Sequence, residues 1–222
     1  MRSIVFLLIF TVLLVHSCAE DPDSIELRAL PNGYLCHGID VSHHQGTIDW
    51  DEFFASADTN IRFIYIKATE GGNFKDNQWE TNEKALSAFD VRYGSYHYFK
   101  PNLSAEKQAR HFVRQTRNSL GSLPPVLDSE EDGSDDLVAN MKVWLKYVER
   151  ELGRRPIIYT SYNQYMEQFR GKFTGYKFWI AAYSEQKPHL DDPQVIHWQY
   201  SDNETVPGIK GPVDLNFSKQ EL

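Results

Sequence analysis

Between Gly38 and Phe217 the chain alternates short apolar segments with helical patterns, and this alternation narrows the available folds more than any other feature. Five runs rich in branched and aromatic residues read as strands: 63–69, 93–99, 155–161, 178–184 and 195–201. Three shorter segments, 38–42, 125–130 and 213–217, bring the number to eight. Helical patterns separate the first six. The clearest spans 135–152, where Leu137, Met141, Trp144, Leu145, Val148 and Leu152 recur on one face. Ser134 is placed to cap its start, and Gly153 suits the left-handed position after its end. Another, 104–120, turns Ala105, Ala109, Phe112, Val113 and Thr116 inward. Such alternation predicts a parallel sheet covered by helices. Eight strands between 35 and 222 are too many for an open doubly wound sheet, so the expected fold is a single-domain α/β, TIM-like (β/α) barrel. It has eight strands and about five helices, because 186–194 and 202–211 read as loops and a full (β/α)8 barrel typically takes about 250 residues.

Ahead of this domain, Arg2 precedes an unbroken apolar run from Ile4 to Val15. A membrane-spanning helix needs about 20 such residues, whereas a secretory leader needs fewer. Residues 1–19 are therefore expected to be a signal peptide and the protein to be exported. Two ends compete. Ser17-Cys18-Ala19 fits ordinary cleavage after Ala19, giving a secreted protein. Val15-His16-Ser17-Cys18 resembles a lipobox, with cleavage before Cys18 and a lipid anchor there holding the chain at the cell envelope. In either case Cys18 is lost or acylated, so no disulfide to Cys36 is expected, and Cys36 reads as a buried, inert thiol. Residues 20–34 are polar and read as a tether; 35–222 form the barrel domain.

Composition removes several function classes. The 222 residues include 23 Lys or Arg and 31 Asp or Glu, a net charge of −8, and no basic block, which argues against nucleic acid. With 41% hydrophobic and 24% charged residues the chain is neither disordered nor a multi-span membrane protein.

Reacting groups in such barrels sit at the C-terminal ends of strands, and three strands carry acids at or near that point: Asp40, the pair Asp128 and Glu130, and Asp214. A charge inside an apolar strand is costly unless it is paired or used. Asp128 and Glu130 are two residues apart and leave one face of a strand, so like-charge proximity should raise the proton affinity of one of them. Two carboxyls with separated pKa values are what glycosidic cleavage requires. Aromatic residues are 14% of the chain. Several fall in the same strands as candidates for stacking on sugar faces: Tyr65, Tyr96, Tyr98, Tyr159, Trp179, Tyr183, Trp198 and Tyr200.

Other chemistries fit poorly. The run from Asp128 to Gly133 superficially matches a calcium loop, but Ala139 stands where its closing Glu belongs, and Pro124 and Pro125 break the entering helix. His43 and His44 would point to opposite faces of a strand, and nothing supplies zinc-ligand spacing; no metal and no cofactor is expected. The acids Glu131, Asp132, Asp135 and Asp136 read as a solvated loop.

In order, the chain contains Gly38-Ile-Asp40-Val-Ser42-His-His-Gln-Gly, Tyr65-Ile-Lys67-Ala-Thr-Glu70-Gly71, Gly94-Ser-Tyr96-His97-Tyr98-Phe99, Leu127-Asp128-Ser-Glu130, His197-Trp198-Gln199-Tyr200 and Val213-Asp214-Leu-Asn216. This set resembles the glycoside hydrolase family 25 lysozymes over essentially the whole domain. The resemblance implies hydrolysis of the β-1,4 bond between N-acetylmuramic acid and N-acetylglucosamine in peptidoglycan on an eight-stranded barrel; a monomer is expected. It also implies roles. Glu130 would be the general acid/base, Asp128 would orient the substrate acetamido group, and Asp40 and Asp214 would line the cleft floor. Tyr65, Lys67, Tyr96, Tyr98, Tyr159, Trp179, Tyr183, Trp198 and Gln199 would contact the glycan strand. The alternatives are a non-catalytic glycan-binding protein on the same barrel and a chitinase-like hydrolase. The latter's D-x-x-D-x-D-x-E pattern is met here only in its last two acids, Asp128 and Glu130.

Overall fold

Glycine opposite an aromatic ring builds the inside of the barrel. In the computed structural model, which describes residues 27–56, 61–133, 135–183 and 192–220, the Phe63 ring lies over Gly38. A Cβ added at Gly38 would stand 2.4 Å from that ring, and one at Gly94 would stand 2.6 Å from the Tyr65 ring. Phe63 and Tyr65 thus fill space that side chains on the neighbouring strands would otherwise occupy. They belong to an inner cluster with Val126, Ile157 and Trp179 that plugs the lower lumen. The alternate residues Ile64, Ile66 and Ala68 face outward into a second, larger cluster under the helices, as the period of two along a strand requires.

The strands are β1 Cys36–Val41, β2 Ile61–Glu70, β3 Phe74–Lys75, β4 Arg92–Tyr98, β5 Val126–Asp128, β6 Ile157–Ser161, β7 Lys177–Ala181, β8 Val195–Glu204 and β9 Val213–Ser218. The helices are α1 Trp50–Ser56, α2 Trp79–Leu86, α3 Ala105–Thr116, α4 Leu137–Leu152 and α5 Tyr162–Gln164; α5 runs on as a π-helical turn, Tyr165–Phe169. The sheet order is β1-β9-β8-β7-β6-β5-β4-β2, and pairing of β1 with β2 closes it into an eight-stranded barrel. The two-residue β3 hangs antiparallel on the end of β2.

The sheet is not wholly parallel. β9 runs antiparallel to both neighbours, β8 and β1. The cause is the connection: a parallel crossover needs a dozen or more residues, and only 205–212 separate β8 from β9. The helices follow their apolar faces. In α4, Leu137, Met141, Trp144, Leu145 and Val148 are buried, and Gly153 ends it at φ 67°, donating its N–H to the Glu149 carbonyl. Its start falls at Leu137, two residues later than expected, and the Ser134 cap lies outside the described residues. α3 caps on the Ser104 hydroxyl and packs Phe112 against Trp144, ring centroids 5.3 Å apart. Burying each such large apolar side chain contributes about 1.5–3 kcal/mol.

The signal peptide and Cys18 lie outside the described residues. From Leu27 onward the segment read as a tether is docked: Leu27 and Leu30 pack against the outer cluster, and the Tyr34 ring lies 5.7 Å from that of Phe217. Cys36 is buried, its thiol 3.6 Å from the Gln220 carbonyl oxygen.

Candidate active site

Above the ring-plugged lower lumen, polar side chains gather at the upper rim. There a cavity of about 230 Å³ opens, lined by Asp40, Lys67, Tyr96, Tyr98, Asp128, Glu130, Tyr159, Trp179, Gln199 and Asp214, with Ser42, His44 and Gln45 at one side. All four acids singled out by their place in apolar strands therefore meet. The antiparallel course of β9 is what brings Asp214 in. Asp214 stands near the beginning of its strand, which the reversed direction sets at the rim where the other strands end, with its Cα paired to that of Asp40.

The acids form two contacting pairs. Asp40 is buried, and its Oδ2 accepts from Gln199 Nε2 at 2.9 Å and Asn216 Nδ2 at 2.8 Å. Burial raises its pKa to about 6, against the pull of these donors and of a hydrogen bond from Asp214. Asp214 is pushed further, to about 9, by burial, by the Asp40 charge and by its role as the hydrogen-bond donor to Asp40. At neutral pH this pair is one carboxylate and one carboxylic acid.

In the second pair, Asp128 ends β5 and is buried, whereas Glu130 lies beyond the strand at the accessible mouth. Burial raises Asp128 well above the ordinary carboxyl range, and the adjacent Glu130 raises it further. Burial of the carboxyl end also raises Glu130, opposed by its hydrogen bond with Asp128 and by the Lys67 charge. Asp128 Oδ1 has no hydrogen-bond partner within the described residues. A buried polar atom without a protein partner calls for an explanation, and this one belongs to a residue that lines the cavity. The site thus offers one carboxyl, Asp214, that holds a proton at neutral pH beside the ionised Asp40, and a second pair, Asp128 and Glu130, raised above the ordinary range.

Tyr159 and Tyr183 both donate to Gln199 Oε1 at 2.7 Å, which orients the Gln199 amide toward Asp40. Tyr183 is half exposed and stands beside the cavity at its rim. Three other aromatic candidates do not line the cavity. Tyr65 sits one layer down in the plugged lumen, its ring on Trp179 at 5.2 Å and its hydroxyl on the Pro124 carbonyl. Trp198 points outward, packed on Phe217 at 5.3 Å, with its indole N–H on the Ala182 carbonyl. Tyr200 likewise stacks on Phe217 at 4.0 Å, outside the lumen.

Several contributors escaped sequence reading. Asn216 stood only inside a matched motif, yet it holds Asp40. His43 and His44 lie on a 3-10 turn, not on a strand, with rings 4.2 Å apart. His43 Nδ1 meets the buried Asp76 Oδ2 at 2.7 Å. Among the described residues no group of three or more His, Cys, Asp or Glu is arranged to hold a metal. Glu131 and Asp132 are not simply solvated. Glu131 is paired with Lys100 at 2.6 Å. Asp132 accepts from Gln168 at 2.6 Å and from the buried Gln164 at 3.3 Å.

Comparison with known proteins agrees with this geometry. The model of the family described as "Glycosyl hydrolases family 25" matches residues 39–209. The uncharacterized protein YegX of Escherichia coli K12 is 40% identical over 84% of this chain and 71% of its own length. Lysozyme M1 of Streptomyces globisporus is 34% identical over 81% of this chain and 66% of its own. Among solved structures, a family 25 glycosyl hydrolase from Bacillus anthracis superposes with a TM-score of 0.77 at 27% identity, covering 87% of this chain and 93% of that one. With the match spanning most of the barrel and all four acids in one cavity, the chain belongs to the family 25 glycosyl hydrolases.

Proposed function

We propose that the protein is an exported N-acetylmuramidase that cleaves the β-1,4 bond between N-acetylmuramic acid and N-acetylglucosamine in peptidoglycan. The observation that carries this reading is the pairing of Asp128 and Glu130 at the cavity mouth, with one carboxyl oxygen of Asp128 unpartnered. Glu130, accessible and with a raised pKa, protonates the leaving glycosidic oxygen as general acid and later returns as base. Asp128 takes the substrate acetamido N–H on its open oxygen and so turns the acetamido carbonyl toward the anomeric carbon. Carboxyls that flank a glycosidic bond stand about 5–5.5 Å apart in retaining enzymes and about 6.5–9.5 Å apart in inverting ones. Asp128 and Glu130 are coupled neighbours that share a hydrogen bond, an arrangement that suits one carboxyl as the acid and the other as the group that orients the substrate's own acetamido oxygen as nucleophile. Asp40 and Asp214 form the floor and hold hydrogen bonds to the sugar, while Lys67, Tyr96, Tyr98, Tyr159, Trp179, Tyr183 and Gln199 contact the glycan.

Glu130→Gln tests the assignment. The variant should keep its fold and lose clearing of purified peptidoglycan by about 10²–10⁴-fold, the usual worth of a positioned acid; undiminished clearing refutes the role. The non-catalytic binding alternative predicts no new reducing ends at all, and the chitinase-like alternative predicts cleavage of N-acetylglucosamine polymers. The leader of Ile4 to Val15 supports export, either secreted or anchored at the envelope through lipid on Cys18. Incorporation of labelled palmitate that Cys18→Ala abolishes distinguishes the anchored form from the secreted one.

A further inference from the structure

Lys67 shares the cavity with Asp128 and Glu130, yet its ammonium is bonded elsewhere. Its Nζ donates to Glu70 Oε2 at 2.7 Å and lies 4.8 Å from the centre of the Tyr98 ring. The other oxygen of Glu70 meets Lys100 Nζ at 3.1 Å. Lys100 Nζ reaches on to Glu131 Oε1 at 2.6 Å, an oxygen that also accepts from the Tyr98 hydroxyl at 3.3 Å. A ladder of alternating charge therefore leaves the cavity wall at Lys67, crosses the rim through Glu70 and Lys100, and returns at Glu131, the neighbour in sequence of Glu130. Apart from Lys67 its members are a quarter to a third or so exposed, where an ion pair adds little to stability. What the ladder does fix is where two charges stand relative to the carboxyl pair.

We propose that Glu70 and Lys100 are positioning residues of this site: Glu70 holds the Lys67 ammonium off the Asp128–Glu130 pair, and Lys100 holds the Glu131 carboxylate off Glu130. This rests on the reading of Glu130 as acid/base. The charged and titratable groups facing the pair come from several elements. Lys67 projects from β2, Tyr98 from β4 and Tyr159 from β6, and Asp40 and Asp214 from β1 and β9. His44 lines the cavity from the 3-10 turn, and Glu131 follows Glu130 directly. Of these, Lys67 and Glu131 are the charges that the ladder ties down, with Tyr98 lying between them.

The two ends act with opposite sign. Glu70→Gln removes the anion that occupies Lys67, so the ammonium turns its charge on the carboxyl pair, which then loses its proton at lower pH. The alkaline limb of kcat/KM moves down. Lys100→Met leaves the Glu131 charge unopposed beside Glu130, which keeps its proton to higher pH, and the limb moves up. An opposite charge within 4–6 Å shifts a carboxyl by about 1–3 units; since both charges already act in part, each limb should move by about 0.5–1 unit. Lys100→Arg keeps the cation and should restore the original profile, which a merely structural defect would not require.

The test is the pH profile of kcat/KM on a soluble muropeptide for the intact enzyme, Glu70→Gln, Lys100→Met and Lys100→Arg. Folding is followed by circular dichroism, and the Glu130 carboxyl is titrated directly by carbon-13 NMR. Opposite displacements, with Arg restoring the limb, are expected. Displacements in the same direction, or unmoved limbs and an unmoved Glu130 titration in folded variants, overturn the proposal. Glu130→Gln run alongside separates the two claims: if it stays active the acid/base assignment falls, whereas if it is inactive and the limbs stay put only the ladder falls.

Discussion

At the scale of single residues, Asp40 depends on two amides. Gln199 and Asn216 both donate to its Oδ2, and the fully buried Asn216 is the donor that water replaces least easily. Asn216→Leu should lower stability by about 1–3 kcal/mol, the cost of leaving a buried polar group short of a partner, and should make Asp40 hold its proton to still higher pH. Urea unfolding at neutral pH reads the first effect; an unchanged midpoint counts against this account of Asp40. The acids were legible in the sequence because a carboxylate inside an apolar strand is expensive and therefore conspicuous. Their amide partners carry no such signal. Trp198 was a misreading that the sequence itself could have corrected: it adjoins Gln199, and neighbouring strand residues face opposite sides of a sheet, so both could not enter one cavity. Tyr65 is a different case. It shares the inward face with Lys67, but depth along the barrel axis depends on strand stagger, which no single strand encodes.

At the scale of elements, strand identity and helical faces were readable from period, whereas strand direction was not. The direction of β9 follows from the length of the 205–212 connection, and reversal is what delivers Asp214 to the rim where Asp40 and Asp128 end their strands. Turn and ladder register thus matter to the chemistry as much as the acids do. The fit of Phe63 over Gly38 offers a test of how the inner layer is built. Gly38→Ala drives a methyl to within 2.4 Å of the ring and should cost about 1–3 kcal/mol by overpacking. Phe63→Leu in the same chain should recover part of that loss, giving a non-zero coupling in a double-mutant cycle. Additive losses would mean that the two side chains do not share this space. Likewise Glu131 and Asp132 looked like a solvated loop because their partners, Lys100, Gln164 and Gln168, lie about 30 or more residues away in sequence.

At the scale of the whole molecule, the buried titratable groups shape stability against pH in two opposed ways. His37, His97 and His197 are lowered by burial to about 4, 3 and 3. The unfolded chain therefore binds more protons below the ordinary value of 6.5, and stability falls as the solution is acidified through that window. Asp40 and Asp214 have raised pKa values, so there the folded state binds the extra protons; their contribution is complete below the ordinary carboxyl range and is lost as pH rises toward about 6 and about 9. Above pH 6.5 the histidines no longer change, so the melting temperature should decline toward pH 9, and Asp214→Asn should flatten that decline. A decline as steep in the variant as in the parent would place the titration elsewhere. The most direct test of the candidate active site is digestion of a defined muropeptide followed by proton NMR. A new reducing end on N-acetylmuramic acid is expected, formed first as the β anomer and absent with Glu130→Gln; a folded enzyme that releases no such end, or a Glu130→Gln variant that releases it at the parental rate, overturns the muramidase reading.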